Sequence, residues 1–280
     1  MIAIQSVFIA KENILFLEEW IDYHIQIGID IFYLYDNSKV NKINYFDSVI
    51  SPKKHMIPGK VNKYGIHFDS LVKLSDSDIC KIMDTLSKKY TNIVNFIEWS
   101  PKDKDGFICY GQEEAYNNCL SKLKNTTIEW CASIDMDEFI VIDEKFDNNI
   151  KTYIKTLDST VSCVKLSQVL FDSRFNYMDK HKHKYELITS INKACSVPLP
   201  PWHSNKYIYR ICDALYLGVH DCKTKGKQIN PSINDIRFNH YKILFDNNSS
   251  DFKLEDNKIS DLIFNKIKEN SKDYIRMTNQ

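Results

Sequence analysis

Between Trp130 and Ile140 an apolar run, Trp130-Cys131-Ala132-Ser133-Ile134, meets Asp135-Met136-Asp137-Glu138 and gives way to a second apolar run beginning Phe139-Ile140. A strand buried on both faces reads as a continuous apolar run. Carboxylates at its carboxyl end fall on the rim where open α/β sheets bind ligands. Alternate residues of an extended chain point the same way, so Asp135 and Asp137 can face one divalent cation with Met136 turned away. The Asp-x-Asp pattern alone is unspecific, because Asp76-Ser77-Asp78 and Asp103-Lys104-Asp105 match it equally well. Neither follows an apolar strand, so context selects 135–137. A solvated acidic turn is the competing reading of that stretch.

The same grammar of short apolar runs closed by turn formers recurs. Residues 2–9 read as a first strand, 14–27 as an amphipathic helix with Leu17, Trp20, Ile21, His24 and Ile25 on one face, and Gly28 as its C-cap. Residues 31–35 form a second strand that stops at Asp36-Asn37-Ser38. A strand–helix–strand unit with short connections predicts parallel strands. Ser75 caps a helix over 76–90. Strands follow at 93–97, 128–134, 161–166, 207–216 and 236–241, with a helix over 110–123. The spacing of Leu254, Ile259, Leu262, Ile263 and Ile267 predicts a helical tail over 251–275. No repeat or flexible linker interrupts the chain. The expectation is one α/β domain, 1–245, with a mixed, mostly parallel sheet flanked by helices, and a tail, 246–280, packed on it.

Composition excludes several classes. Formal net charge is zero over 280 residues, so no overall field recruits nucleic acid or an anionic membrane. No apolar run approaches the roughly 20 residues that span a bilayer. The N-terminus has neither a basic leader nor a cleavage pattern, which points to the cytoplasm. The eight cysteines include no Cys-x-x-Cys pair, which argues against structural zinc.

Several blocks together resemble GT-A glycosyltransferases related to families 2 and 92. They are Phe8-Ile9-Ala10-Lys11-Glu12-Asn13, Leu17-Glu18-Glu19-Trp20-Ile21-Asp22-Tyr23-His24, Gly28-Ile29-Asp30 and Tyr33-Leu34-Tyr35-Asp36-Asn37-Ser38. Then come Gly111-Gln112-Glu113-Glu114-Ala115-Tyr116-Asn117-Asn118-Cys119-Leu120, the 130–139 stretch, Gly218-Val219-His220 and Asn239-His240-Tyr241. The resemblance implies a GT-A (Rossmann-like) fold, a nucleotide-sugar donor, and a divalent metal, manganese or magnesium. The chain departs from the family pattern at Lys11-Glu12-Asn13, at Phe171-Asp172-Ser173, and at Leu244-Phe245, where a Lys-Ser pair is expected. Lys242 or Lys223 could replace that last phosphate contact.

Transfer of a sugar from a nucleoside diphosphate leaves charge on the departing diphosphate, which a hard cation with oxygen ligands offsets. Asp137 is assigned as the direct metal ligand. Asp135 would bind the metal through water or hold the ribose, and Glu138 would orient its neighbours. A late histidine, His220 or His240, is expected to complete the metal set. His220 is preferred because Gly218 permits close approach and Asp221 could orient the ring; a histidine packed in the core is the rival reading of each. Asp36 either accepts the uracil imide N–H or forms an Asx turn. Glu12 and Asn13 are donor-loop candidates, Glu12 being equally a helix N-terminal carboxylate. Asp172 is the candidate general base for the acceptor hydroxyl, with Asp213 and Asp221 as rivals. The basic run 180–184 and Trp202-His203 read as solvated or packed loops, or as contacts to diphosphate and acceptor.

The expected activity is transfer of a sugar from a UDP-linked donor to a hydroxyl of a glycan or glycoconjugate, with inversion. The alternatives are a catalytically silent nucleotide-sugar or glycan-binding domain, and a nucleotidyltransferase.

Overall fold

The computed structural model describes residues 1–14, 16–39, 75–104, 106, 108–171, 193–195, 206–241 and 252–255. Asp172, Lys242, the 180–184 run, Trp202-His203 and the 256–275 part of the expected tail lie outside the described residues, as do the side chains of Lys11 and Glu12.

The first strand, β1 (Ile2–Phe8), is buried along its whole length. The helix expected over 14–27 begins three residues later, as α2 (Leu17–Gln26), and a separate turn of helix, α1 (Ala10–Asn13), precedes it. At the start of α1 the Asn13 side chain turns back to accept the Ile9 N–H at 3.0 Å. Gly28 follows α2 at φ +103°, the left-handed region a C-cap requires. A Cβ there would stand 2.9 Å from the Asn149 amide.

β2 (Ile31–Asp36) pairs parallel with β1, and β3 (Val94–Glu98) pairs parallel with β2. Between them α3 (Asp76–Lys89) begins with a capping box: the Ser75 hydroxyl accepts from Asp78 N–H while the Asp78 carboxylate accepts from Ser75 N–H. α4 (Gln112–Leu123) leads into β4 (Trp130–Ser133), which pairs parallel with β1. β5 (Glu138–Ile142), α5 (Ile150–Lys155) and β6 (Val161–Phe171) follow. The remaining strands are β7 (Lys193–Cys195), β8 (Lys206–Arg210), β9 (Ala214–Leu217), β10 (Cys222–Thr224), β11 (Lys227–Ile229), β12 (Ile236–Tyr241) and β13 (Phe252–Glu255).

The main sheet runs β13-β7-β6-β8-β4-β1-β2-β3, with β12 bridging β6 and β5 and β11 lying on β6; β9 and β10 form a separate hairpin. The sheet is mixed as expected: β4-β1-β2-β3 are parallel, and β11 and β12 each pair parallel with β6. β8 is antiparallel to both β4 and β6 and reverses the direction between them. The expected 207–216 strand breaks at 211–213, where the chain leaves the main sheet to build the β9–β10 hairpin. Residues 252–255, expected in a helical tail, pair antiparallel with β7. Helical spacing of apolar residues does not report an open sheet edge that recruits the segment as a strand.

Because β8 opposes both neighbours, β4 and β6 run in one direction, and β12 is parallel to β6. The carboxyl ends of β1, β2, β3, β4, β6 and β12 therefore share one rim. Two apolar layers cover the sheet: one gathers α2, α3 and α5 residues with β5 and β12, the other gathers α4 with the β9–β10 hairpin. Cys109, Cys119, Cys131, Cys163 and Cys222 are buried thiols; Cys80 and Cys212 are exposed.

Candidate functional site

The link between β4 and β5 is the centre of the rim. Asp135 follows β4 directly, and Met136 is buried while Asp135 and Asp137 keep 32% and 29% of their side chains exposed. The two carboxylates face very different company.

Asp135 is met from two sides. Lys206, the first residue of β8, places Nζ 2.7 Å from Asp135 Oδ2 and 3.7 Å from Glu138 Oε2, and its side chain is fully buried. From α4, Gln112 Nε2 donates to Asp135 Oδ1 at 2.5 Å and the Tyr116 hydroxyl lies 3.4 Å from the same oxygen. The Asp135 N–H donates to Glu138 Oε2 at 2.8 Å. Burial is the largest single effect and would raise the Asp135 pKa, but the Lys206 charge and contact, with the His240 and His220 charges, together outweigh it and hold the carboxyl below its usual range. The reverse holds for Lys206, where burial is outweighed by Asp135 and then Glu138, so its pKa is raised. For Glu138 burial wins over Lys206 and pushes the carboxyl up to about 7.

Asp137 instead faces His240, whose Nε2 lies 3.2 Å from Asp137 Oδ2. The pair is set by the β5–β12 ladder, in which His240 lies opposite Glu138, and by the Tyr241 N–H donating to the Asp137 carbonyl at 2.8 Å. The β5 backbone is fixed from α2: Trp20 Nε1 donates to the Glu138 carbonyl at 2.8 Å and the Tyr23 hydroxyl to the Ile140 carbonyl at 2.6 Å. His24 lies against the same strand, its Nε2 3.4 Å from the Ile140 N–H. The Trp20–His24 block is thus a side-chain edge for β5, which pairs on its other side with β12.

Asp137 Oδ2 and His240 Nε2 are the ligand atoms that could share a cation. Neighbouring ligands of an octahedral ion with bonds of about 2.1 Å lie about 3 Å apart, near the observed 3.2 Å. Among the described residues no group of three or more His, Cys, Asp and Glu side chains gathers as a metal cage. That donor set fits a hard cation such as Mg²⁺, which takes one or two carboxylates and fills its shell with water and substrate phosphates.

The other sequence candidates distribute around this centre. His220 is exposed in the turn after β9, and its charge, like that of His240, helps lower the Asp135 pKa after Lys206. The 3.2 Å contact to Asp137 is made by His240. Gly218 is needed for a different reason from the one expected: a Cβ there would lie 2.2 Å from Asp221 Oδ1. Asn117 of α4 clamps this turn by bonding both the N–H and the carbonyl of Leu217. Asp36 forms the Asx turn, accepting the Ser38 N–H at 3.0 Å, and is half-buried on the rim. Asn13 caps α1. Lys223 is exposed on β10 with Nζ 5.9 Å from the Tyr216 ring centre. Asp213 is at the wrong end for a general base, since Arg210 pairs with Trp130 while Tyr207 pairs with Ser133 beside Asp135. It accepts the Ser162 hydroxyl at 2.6 Å there.

Sequence reading missed Lys206 and gave Gln112 and Tyr116 no role. The i,i+4 spacing of Gln112 and Tyr116 put them on one helix face, but nothing local pointed that face at Asp135. Lys206 carried one signal, a lysine opening an otherwise apolar and aromatic strand.

Among the described residues no helix is long and apolar enough to cross a membrane. No curated protein matches the chain. The family profile described as glycosyltransferase family 92 matches residues 61–279, beginning after β2, so the blocks quoted from residues 8–38 lie outside it. With a parallel-stranded rim that carries the acidic link and a profile spanning most of its length, this chain belongs to glycosyltransferase family 92 and is a glycosyltransferase.

Proposed function

We propose that the chain transfers a sugar from a UDP-linked donor to a hydroxyl of a glycan or glycoconjugate, with a divalent metal, manganese or magnesium, at the β4–β5 link. The observation that carries this is the Asp137–His240 pair, 3.2 Å apart on the shared rim, beside a carboxylate that already has its own buried cation. When bound, the metal offsets the charge that develops on the departing diphosphate.

The chain's residues divide the remaining work. Asp137 and His240 bind the metal from β5's approach and from β12. Lys206 keeps Asp135 ionised and fixed, so Asp135 is a rigid acceptor for water or a ribose hydroxyl rather than a mobile ligand. Asp36, at the end of β2, lies where a nucleobase would reach the rim, its Asx turn leaving the carboxylate half-buried and preset. Glu12 and Asn13 after β1, with Lys223 and Lys242, are the donor-side candidates for the ribose and diphosphate. Asp172, the residue after Phe171 of β6, is assigned the acceptor proton, as the general base that an inverting displacement needs.

The test is thermal melting with UDP, GDP, CMP, dTDP and UDP-sugars, each with Mn²⁺ and with EDTA. A ligand at about 100 times its Kd adds roughly 2.7 kcal/mol to stability. A shift specific to UDP species and lost with EDTA is the expected result. An equal shift for all nucleotides, or none, overturns the donor assignment.

A further inference from the structure

His240 is gripped on its other side by Gln168 of β6, whose amide contacts Nδ1. Gln168 is 1% exposed, so its amide has little access to water. An amide N–H donated to Nδ1 puts the ring proton on Nε2, where it is donated to Asp137; Glu138 Oε1 lies 3.6 Å from the same Nδ1. That orientation leaves Gln168 Oε1 buried with no hydrogen-bond partner among the described residues. A buried orphan acceptor is unfavourable, and turning the amide over gives the oxygen a partner.

An amide turned over by half a revolution keeps its shape and exchanges donor for acceptor. Gln168 Oε1 then accepts from Nδ1–H, and Nε2 presents its lone pair beside Asp137 Oδ2. Two lone pairs 3.2 Å apart repel, unless a cation lies between them. Ligating histidines commonly donate their second ring N–H to an acceptor that fixes the ring.

We propose that Gln168 is a positioning residue that selects which nitrogen of His240 carries the proton, its amide turning over when a divalent cation takes Nε2. The inference rests on the reading of Asp137 and His240 as the metal pair. The ring stays neutral throughout: the Nε2–H bond breaks, an Nδ1–H bond forms, and water carries the proton between them. A neutral amide can serve both states. A carboxylate at 168 accepts and never donates, and an aliphatic chain does neither.

The experiment uses the whole chain labelled with ¹⁵N-histidine. Long-range ¹H–¹⁵N spectra report the tautomer, and calorimetry with Mg²⁺, which leaves the spectra readable, reports affinity. The wild type is expected to show His240 with Nε2–H in EDTA and Nδ1–H at saturating Mg²⁺. Gln168→Glu is expected to keep a proton on Nδ1 in both conditions and to bind Mg²⁺ at least as tightly as the wild type. Gln168→Leu is expected to bind about 10–100-fold more weakly. If Gln168→Leu binds like the wild type, the role of Gln168 is overturned and the metal pair stands; if Mg²⁺ binds while His240 keeps Nε2–H, that nitrogen is not a ligand, and both the metal pair and the inference fail. If calorimetry detects no Mg²⁺ binding to the wild type, the metal reading fails, and the inference with it.

Discussion

Asp135 and Asp137 are two residues apart, belong to one turn and are almost equally exposed, yet the structure treats them as opposites. Asp135 is held by Lys206, Gln112 and Tyr116, and its charge is matched inside the protein. Asp137 is approached by one imidazole and open solvent. The lesson is that exposure does not measure availability; a carboxylate already paired with a buried cation has less to offer a second one. The inner carboxylate anchors the fold around the site, and the outer one is left for chemistry.

The sharpest way to break this division is Asp137→Ala. It should abolish transfer, a loss of at least about a thousandfold, equal to about 4 kcal/mol of barrier, while shifting the urea midpoint little. Retained activity in a transfer assay would remove Asp137 from the metal. Next is Lys206→Met, which leaves Asp135 and Glu138 without their buried cation and should cost about 3–5 kcal/mol in urea unfolding. Adding Glu138→Gln should recover part of that loss. A midpoint unchanged by Lys206→Met would show that Asp135 needs no internal partner.

His24 supplies a pH test of the scaffold behind the site. Burial lowers its pKa to about 3, against a smaller opposing effect from its Nδ1 contact with the Trp20 carbonyl at 2.7 Å. The unfolded chain takes up the proton near pH 6.5 and the folded chain only near 3. The contribution of neutral His24 is therefore complete above about pH 6.5 and is lost as pH falls toward 3. Its slope reaches at most about 1.4 kcal/mol per pH unit, and His24→Gln should flatten the urea-midpoint profile between pH 6 and 4. The smallest effect is expected for Gln112→Leu. Water can reach Asp135 and replace part of the lost bond, so about 1 kcal/mol is expected in the same assay; a loss as large as that of Lys206→Met would make Gln112, not the lysine, the main anchor.

Much of the frame was legible because its signals are local. The Ser75–Asp78 box, the positive φ at Gly28 and the apolar runs of β1, β2 and β4 each depend on residues a few positions apart. Residues 10–13 show the limit of local reading, since their apolar spacing does not announce the turn of helix they form. The second apolar run, beginning Phe139-Ile140, is not assigned as a strand by the sequence reading, yet it forms β5. Its identity comes from β12 on one side and Trp20, Tyr23 and His24 on the other.

By itself the sequence determined that a buried strand ends in Asp135-Met136-Asp137-Glu138 and that these carboxylates stand on the rim of an α/β sheet. Strand reading is a matter of period and punctuation, which neighbouring residues carry. Tertiary structure alone decided that Lys206 would neutralise Asp135 and that His240 would face Asp137. Those pairings join residues far apart in the chain, and they follow from β8 lying between β4 and β6 and from β12 crossing to β5, an order set by how the whole apolar surface is buried.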